Sequence, residues 1–255
     1  MPRNSRRAAL SFLTAAAFIL SGPLPAAPAS VVTTDADRDD HLVDQGEKIQ
    51  NARNRLSCTV GLVDHENNTL HTAGHCGADG DPFYHVRTDG TRRYLGFFST
   101  SHEAGTARND IGAITGVNPA LLGANIFAAP PVSDDEPPRA GDEICAYGQV
   151  SDRVRCGTVM GRDGEVLVTT PGLAALPGDS GGPAWIDGRT VGVYTADWFK
   201  GPDTDISFAS TVTLLGQPDA VAPAPPAVGR IADAYRGTEA PVLSSLSSLS
   251  SLSSR

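Results

Sequence analysis

The sequence predicts an all-β protein built from antiparallel barrels, and three observations carry that reading. Short runs rich in strand formers recur at 57–63, 69–72, 94–98 and 110–115, each bounded by Gly, Asp or Asn. Pro119, Pro130, Pro131, Pro137 and Pro138 then crowd one stretch, and because proline cannot donate to a sheet ladder this reads as a connector between two barrels. In the second half Asp163-Gly164 and Asp187-Gly188 tolerate the positive φ of tight hairpin turns.

The 255 residues, 40% hydrophobic and 19% charged, are enough for one substantial globular body once the ends are set aside. Residues 1–29 read as an export signal: Arg3, Arg6 and Arg7 form the basic start, 8–20 the apolar stretch, and Ala27-Pro28-Ala29 the small-residue cleavage site. The apolar stretch is too short to span a membrane. Ser5-Arg6-Arg7 leaves general and twin-arginine export both open. Loss of those three arginines takes the formal charge from −9 to −12, which disfavours nucleic acid or an anionic membrane as partner. Residues 30–54 read as an N-terminal extension or short pro-segment, with the domain proper expected over 55–217 (first barrel about 55–118, connector about 119–140, second barrel about 141–217). Residues 218–255 read as a linker and tail, with the uncharged run 220–228 as an extended linker and the Leu-Ser-Ser repeats from Leu243 as a disordered tail.

The chemistry is concentrated in three segments. Gly178-Asp179-Ser180-Gly181-Gly182-Pro183 sets a serine between glycines that let two amides converge on one point, the geometry an acyl-transfer nucleophile needs. Thr72-Ala73-Gly74-His75-Cys76 supplies a histidine, and Asn109-Asp110-Ile111 a carboxylate opening an apolar run. Serine attacks a carbonyl only when a neutral imidazole takes its proton, and a carboxylate behind that imidazole fixes its tautomer. Alone, Asp110 would read as a turn aspartate; Asp79, Asp81 and Asp89 are weaker rivals because none opens an apolar run. His65, His71, His85 and His102 read as structural or solvent-facing. A zinc site on His71, His75 and Cys76 lacks the further Cys or Glu that would complete it. Four cysteines suit an oxidising destination and allow three pairings.

The order His75, Asp110, Ser180 separates the scaffolds that build such a relay, and with the two flanking motifs it makes this chain resemble the chymotrypsin-like serine endopeptidases. The cysteine segments 145–148 and 156–158 are similar to those of the small bacterial branch that includes the α-lytic and Streptomyces griseus proteases. The resemblance covers about 57–215. It implies two six-stranded Greek-key barrels with the active site in the cleft between them, and pairs Cys58 with Cys76 and Cys145 with Cys156. It makes His75 the base, Asp110 its orienting acid, Ser180 the nucleophile, and the amides of Gly178 and Ser180 the oxyanion hole. No metal or cofactor is implied, because positioned protein groups suffice. The implied protein is a secreted, monomeric endopeptidase acting on proteins or peptides. A non-catalytic binding or adhesion protein on the same fold is the alternative.

Two departures stand out. The bacterial branch carries arginine directly after the first cysteine of the second pair, where it pairs with the aspartate before the nucleophile; here that position is Ala146. Asp179 is therefore expected to take Arg139, Arg153 or Arg155, or a freed N-terminus near Val31-Val32, as its cation, since an unpartnered buried carboxylate is costly. The position six before the nucleophile, at the base of the primary pocket, is Ala174, with Thr195, Ala196 and Asp197 along one wall. An uncharged floor implies small or medium apolar side chains before the scissile bond, although Asp197 at the rim could draw a basic group.

Overall fold

The computed structural model describes residues 42–100, 110–131, 136–174, 176–199, 207–215 and 225–239. The proposed export signal, most of the N-terminal extension, His102, Asn109 and the tail from 240 lie outside them.

Thirteen strands form two sheets. The first contains β1 (Lys48–Asn51), β2 (Ser57–Thr59), β3 (Leu62–Asp64), β4 (Thr69–Ala73), β5 (Pro82–Val86), β6 (Arg92–Thr100) and β7 (Ile111–Thr115), in the order β2-β1-β5-β6-β7-β4-β3. Its two edges, β2 and β3, are halves of one chain segment bent at Val60-Gly61, so the sheet curls round on that segment and the expected six strands become seven. The bend has a packing cause: a Cβ on Gly61 would lie 2.5 Å from both Gly181 O and Val193 Cγ1, where the two barrels meet. Strict alternation in β5 and β7 turns Phe83 and Ile114 inward, and Phe83 stacks on Phe98 with ring centres 5.0 Å apart.

The second sheet is a closed six-stranded barrel of β8 (Glu143–Gly148), β9 (Arg153–Asp163), β10 (Val166–Thr169), β11 (Pro183–Ile186), β12 (Arg189–Phe199) and β13 (Ser207–Leu214), ordered β10-β13-β12-β11-β8-β9. Ile144, Val159, Leu167, Leu173, Ala184 and Val212 fill it. The β11–β12 turn is Asp187-Gly188, both with positive φ (49° and 74°), the hairpin geometry that pair favours. The β9–β10 turn falls at Gly164-Glu165, one residue later than expected, because Asp163 still pairs with Val166.

Two expected boundaries are corrected. β1 lies upstream of Arg55 yet sits between β2 and β5, so residues from about 43 belong to the first barrel. Four residues of mixed polarity give little periodicity, but Ile49 and Asn51 are fully buried. The reading of 218–255 as linker and tail fails at α1 (Pro225–Glu239). Prolines occupy its first turn, where a missing N–H costs nothing, and Val228, Ile231, Ala232 and Tyr235 follow the i, i+3, i+4, i+7 spacing of an apolar stripe. Val228 and Ala232 form one buried cluster with Met160, Val168 and Ala209 of the second barrel, and Ile231, Tyr235 and Trp198 pack against it.

Gln45 joins the pieces. Fully buried, it donates through Nε2 to Gly61 O (2.9 Å) and Thr190 Oγ1 (3.1 Å), and through Oε1 accepts from the amides of Phe127 (2.9 Å) and Ala128 (3.1 Å). First barrel, second barrel and connector thus meet at one side chain whose hydrogen-bonding capacity is filled. Replacing Gln45 by Leu keeps the volume and strands those partners in the interior, at about 1–3 kcal/mol for each group left unsatisfied. Urea unfolding should show a loss of at least about 2 kcal/mol; an unchanged midpoint would mean that the junction is not a stability element.

Candidate active site

His75 and Asp110 meet because of strand register. β4 and β7 pair antiparallel with Ala73 opposite Ile111, so the residues just after β4 face those just before β7. The chain leaves β4 in a 3-10 turn, Gly74–Cys76, whose first amide donates to Asp110 O at 2.8 Å. The Asp110 carboxylate accepts from the His75 amide through Oδ1 (2.7 Å) and takes the ring Nδ1 at 3.1 Å from Oδ1 and 2.9 Å from Oδ2. Since the carboxylate only accepts, Nδ1 carries the hydrogen, and the neutral ring keeps its Nε2 lone pair for a proton. Partial burial of the ring pushes its pKa down, but the Asp110 hydrogen bond and charge outweigh this and hold it above the ordinary value of 6.5. The turn is fixed from behind by the Cys58–Cys76 disulfide and by Asn51 Nδ2, which donates to Cys76 O at 3.2 Å.

Ser180 stands in the loop entering β11, and this loop is clamped to the first barrel. Thr59, fully buried, donates its amide to Ser180 O (2.9 Å) and its hydroxyl to Gly178 O (2.8 Å), while Thr72 Oγ1 donates to Thr59 O at 2.8 Å. Gly181, at φ 86°, closes the joint: a Cβ there would collide with Thr72 Oγ1 and lie 2.8 Å from Ala73 N, two residues before His75. Gly181 N donates to Tyr194 O (2.8 Å) and Tyr194 N to Gly182 O (2.9 Å), so the loop is also tied to β12. Ser180 is half-buried. Among the described residues its hydroxyl makes no hydrogen bond to the His75 ring, and nothing accepts from the amides of Gly178 or Ser180. Nucleophile–base bonds of this kind are often long until substrate closes the site.

Asp179 corrects an expectation. It is fully buried, and its partners are backbone amides in place of any of the three arginines. Oδ1 accepts from Val150 (2.8 Å) and Ser151 (2.9 Å), and Oδ2 from Leu176 (3.2 Å). The carboxylate rests against Gly148, where a Cβ would collide with it. Three amide dipoles converging on one anion supply what a cation would, and the turn after β8 is the part that sequence reading missed; no side-chain pattern announces it. Arg155, which faces Ala146 across the β8–β9 pair, instead acts at the wall near Asp197.

The pocket positions fall together at the second barrel. Ala174 is fully buried beside Leu173 and Tyr194; Thr195 is buried, and Ala196 and Asp197 are half-buried. Asp197 is taken up by its own wall: Ser210 Oγ donates to it, the Tyr194 hydroxyl bonds to it, and Gly172 N donates to Ser210 Oγ at 3.0 Å. Burial pushes the Asp197 carboxyl up, and the Ser210 and Tyr194 hydrogen bonds and the Arg155 charge only partly offset this. Burial beside Asp197 and Asp179 likewise pushes the Tyr194 phenol up, keeping it a donor. The pairings Cys58–Cys76 and Cys145–Cys156 both form. The other described histidines have neighbours of their own: His65 Nε2 donates to Gly123 O at 2.8 Å, His71 lies 3.6 Å from Asp64 and His85 2.6 Å from Glu47. Asp81 is held by Asn51 and Arg53, and Asp89 caps its own turn on Thr91.

No protein-family model and no curated protein matches the chain. Among solved structures, it is similar to the chymotrypsin of Cellulomonas bogoriensis (20% identity, TM-score 0.47, over 68% of this chain and 92% of that one). It is also similar to protease A of Thermobifida fusca (18%, 0.48, 69% and 92%) and to an inactivated protease paralogue of the scabies mite (17%, 0.46, 66% and 88%).

Substituting Asp179 by Ala leaves three loop amides without their acceptor, and a stability loss of about 2–4 kcal/mol is expected. Because three amides already satisfy Asp179, adding two residues to the N-terminus of the chain as purified should leave the unfolding midpoint and Ser180 reactivity unchanged. Loss of either on extension would restore the N-terminal cation. Thr59→Val, which removes only the hydroxyl holding Gly178 O, should slow modification of Ser180 by an active-site reagent while costing about 1 kcal/mol in stability.

Proposed function

We propose that the protein is a serine endopeptidase that hydrolyses peptide bonds through an acyl-enzyme. The observation that carries this reading is the Asp110–His75 pair, hydrogen-bonded at 2.9 Å, on a loop that adjoins the Gly-flanked Ser180 through the Gly181–Thr72 contact. Ser180 Oγ attacks the scissile carbonyl carbon as its proton passes to His75 Nε2, and the carbonyl oxygen becomes an oxyanion facing the amides of Gly178 and Ser180. Collapse breaks the C–N bond, with the imidazolium protonating the leaving amine. Water, deprotonated by His75, then releases the acyl group and restores the serine. Asp110 holds the ring in the Nδ1–H tautomer and stabilises the imidazolium. Each oxyanion donor is worth about 3 kcal/mol in the transition state.

The buried Ala174 floor favours small or medium apolar side chains before the scissile bond. Asp197, whose carboxyl is engaged by Ser210 and Tyr194, is turned to its own wall, which argues against a basic preference. Two disulfides suit an extracellular, monomeric enzyme acting on proteins and peptides. Among the described residues no helix is long and apolar enough to cross a membrane.

A fluorophosphonate should label Ser180 and fail to label Ser180→Ala. A folded protein that binds peptides yet neither labels nor cleaves would instead be a non-catalytic binding protein on this fold. The base works only when neutral, and its pKa is raised, so kcat/KM should be small at acidic pH and climb through a single ionisation above 6.5. Asp110→Asn should move that ionisation to lower pH and cut kcat by about 10⁴-fold; an unmoved profile would remove His75 from the role of base.

A further inference from the structure

β12 changes character along its length. Gly192 and Val193 pair with both β11 and β13, but from Ala196 to Phe199 the strand pairs with β13 alone, and among the described residues no strand occupies the other edge. That open edge begins beside Tyr194, whose backbone is bonded to Gly181 and Gly182 next to Ser180. A row of unpaired backbone groups beside a nucleophile is where an extended peptide adds as a further strand. Two register shifts, between Tyr194 and Ala196 and between Trp198 and Phe199, interrupt the ladder that would otherwise hold the segment straight. A strand paired on one side only and bulged twice depends on what backs it.

The backing is α1. It contributes Val228 and Ala232 to the buried cluster with Met160, Val168 and Ala209 against which Trp198 packs, and Gly161 on β9 admits Ile231 so closely that a Cβ there would lie 2.7 Å from Ile231 Cγ2. The Trp198 indole Nε1 donates to Thr211 Oγ1 at 3.2 Å. The same Thr211 hydroxyl lies 3.1 Å from Thr195 Oγ1 and 3.4 Å from Ala196 O, and Thr195 Oγ1 donates to Thr211 O at 3.1 Å. A contiguous set of contacts therefore runs from the helix through Trp198 and Thr211 to Thr195 and Ala196.

We infer that α1 buttresses the peptide-binding edge of β12: through Trp198 and Thr211 it sets the position of residues 195–197, and with it the grip on an extended substrate, while the chemical step depends on the cleft. This rests on the peptidase reading above. Ile231 and Tyr235 are positioning residues in this account, remote from the reacting atoms.

The chain contains two tryptophans, so Trp185→Phe leaves Trp198 as the only indole and makes its emission a report on the helix contact. In that background Ile231→Ala removes the wedge, and Gly161→Ala pushes it outward with the helix sequence intact. Both should raise KM for a tetrapeptide amide by about three- to tenfold, with kcat and the rate of fluorophosphonate labelling changed by less than about twofold. Trp198 emission should shift to the red and become more open to acrylamide quenching. An unchanged KM in both variants, with Trp198 emission shifted, would show that the helix touches the edge without governing it and would overturn the inference; unchanged emission would overturn it at its first contact. Failure of the unsubstituted protein to label or cleave sinks the peptidase reading instead. Hydrogen exchange at residues 195–198 then decides the buttress: faster exchange in the two variants upholds it, equal exchange defeats it.

Discussion

The site depends on Thr59. One fully buried residue of the first barrel binds the carbonyls of Gly178 and Ser180, both in the loop that bears Ser180, and its own carbonyl is held by Thr72, three residues before His75. A serine on one barrel and an imidazole on the other can cooperate only if the barrels cannot slide. Thr59 and Gly181 make that joint a hydrogen-bonded contact with no room for a side chain, and Gln45 repeats the arrangement at the far side of the same junction. Buried polar groups of this kind specify one arrangement because any other leaves them unsatisfied.

The loop that bears Ser180 meets an electrostatic requirement with backbone groups. A buried carboxylate beside the serine needs compensation worth several kcal/mol. Here three backbone amides provide it, which makes the loop's shape a property of the β8–β9 turn and of Gly148. The amides belong to the fold already. The charge of Arg155 acts instead to lower the Asp197 carboxyl and the Tyr194 phenol, against the larger effect of burial.

The second barrel is more than a holder for Ser180. Its β12 is at once a partner of the loop that bears Ser180 and a strand paired on one side only beyond Tyr194, and its Trp198 packs against the cluster to which α1 contributes Val228 and Ala232. The helix stripe Val228, Ile231, Ala232, Tyr235 was present in the sequence at helical spacing, but the prolines and alanines before it and the Leu-Ser-Ser run after it drew the reading toward an unstructured end. Its stability comes from the barrel surface it covers, as for most short helices.

What depends on local chemistry can be read from residue order: the barrel class, the hairpin at Asp187-Gly188, and which serine, histidine and aspartate could form a relay. Glycine spacing, chain order and strand patterns are local, so they are legible without coordinates. Only the tertiary structure decided the rest. β1 is four residues long and shows no periodicity, and becomes a strand because β2 and β5 receive it on both sides. The partner of Asp179 is a set of backbone amides, and every residue has an amide, so only folding selects which three converge. Asp197 carries a charge that suggests a rim for basic groups, yet Ser210 and Tyr194, brought in by the pairing of β12 with β13, occupy it. In each case the deciding contact joins residues far apart in the chain, and its energy exists only once the barrels have closed.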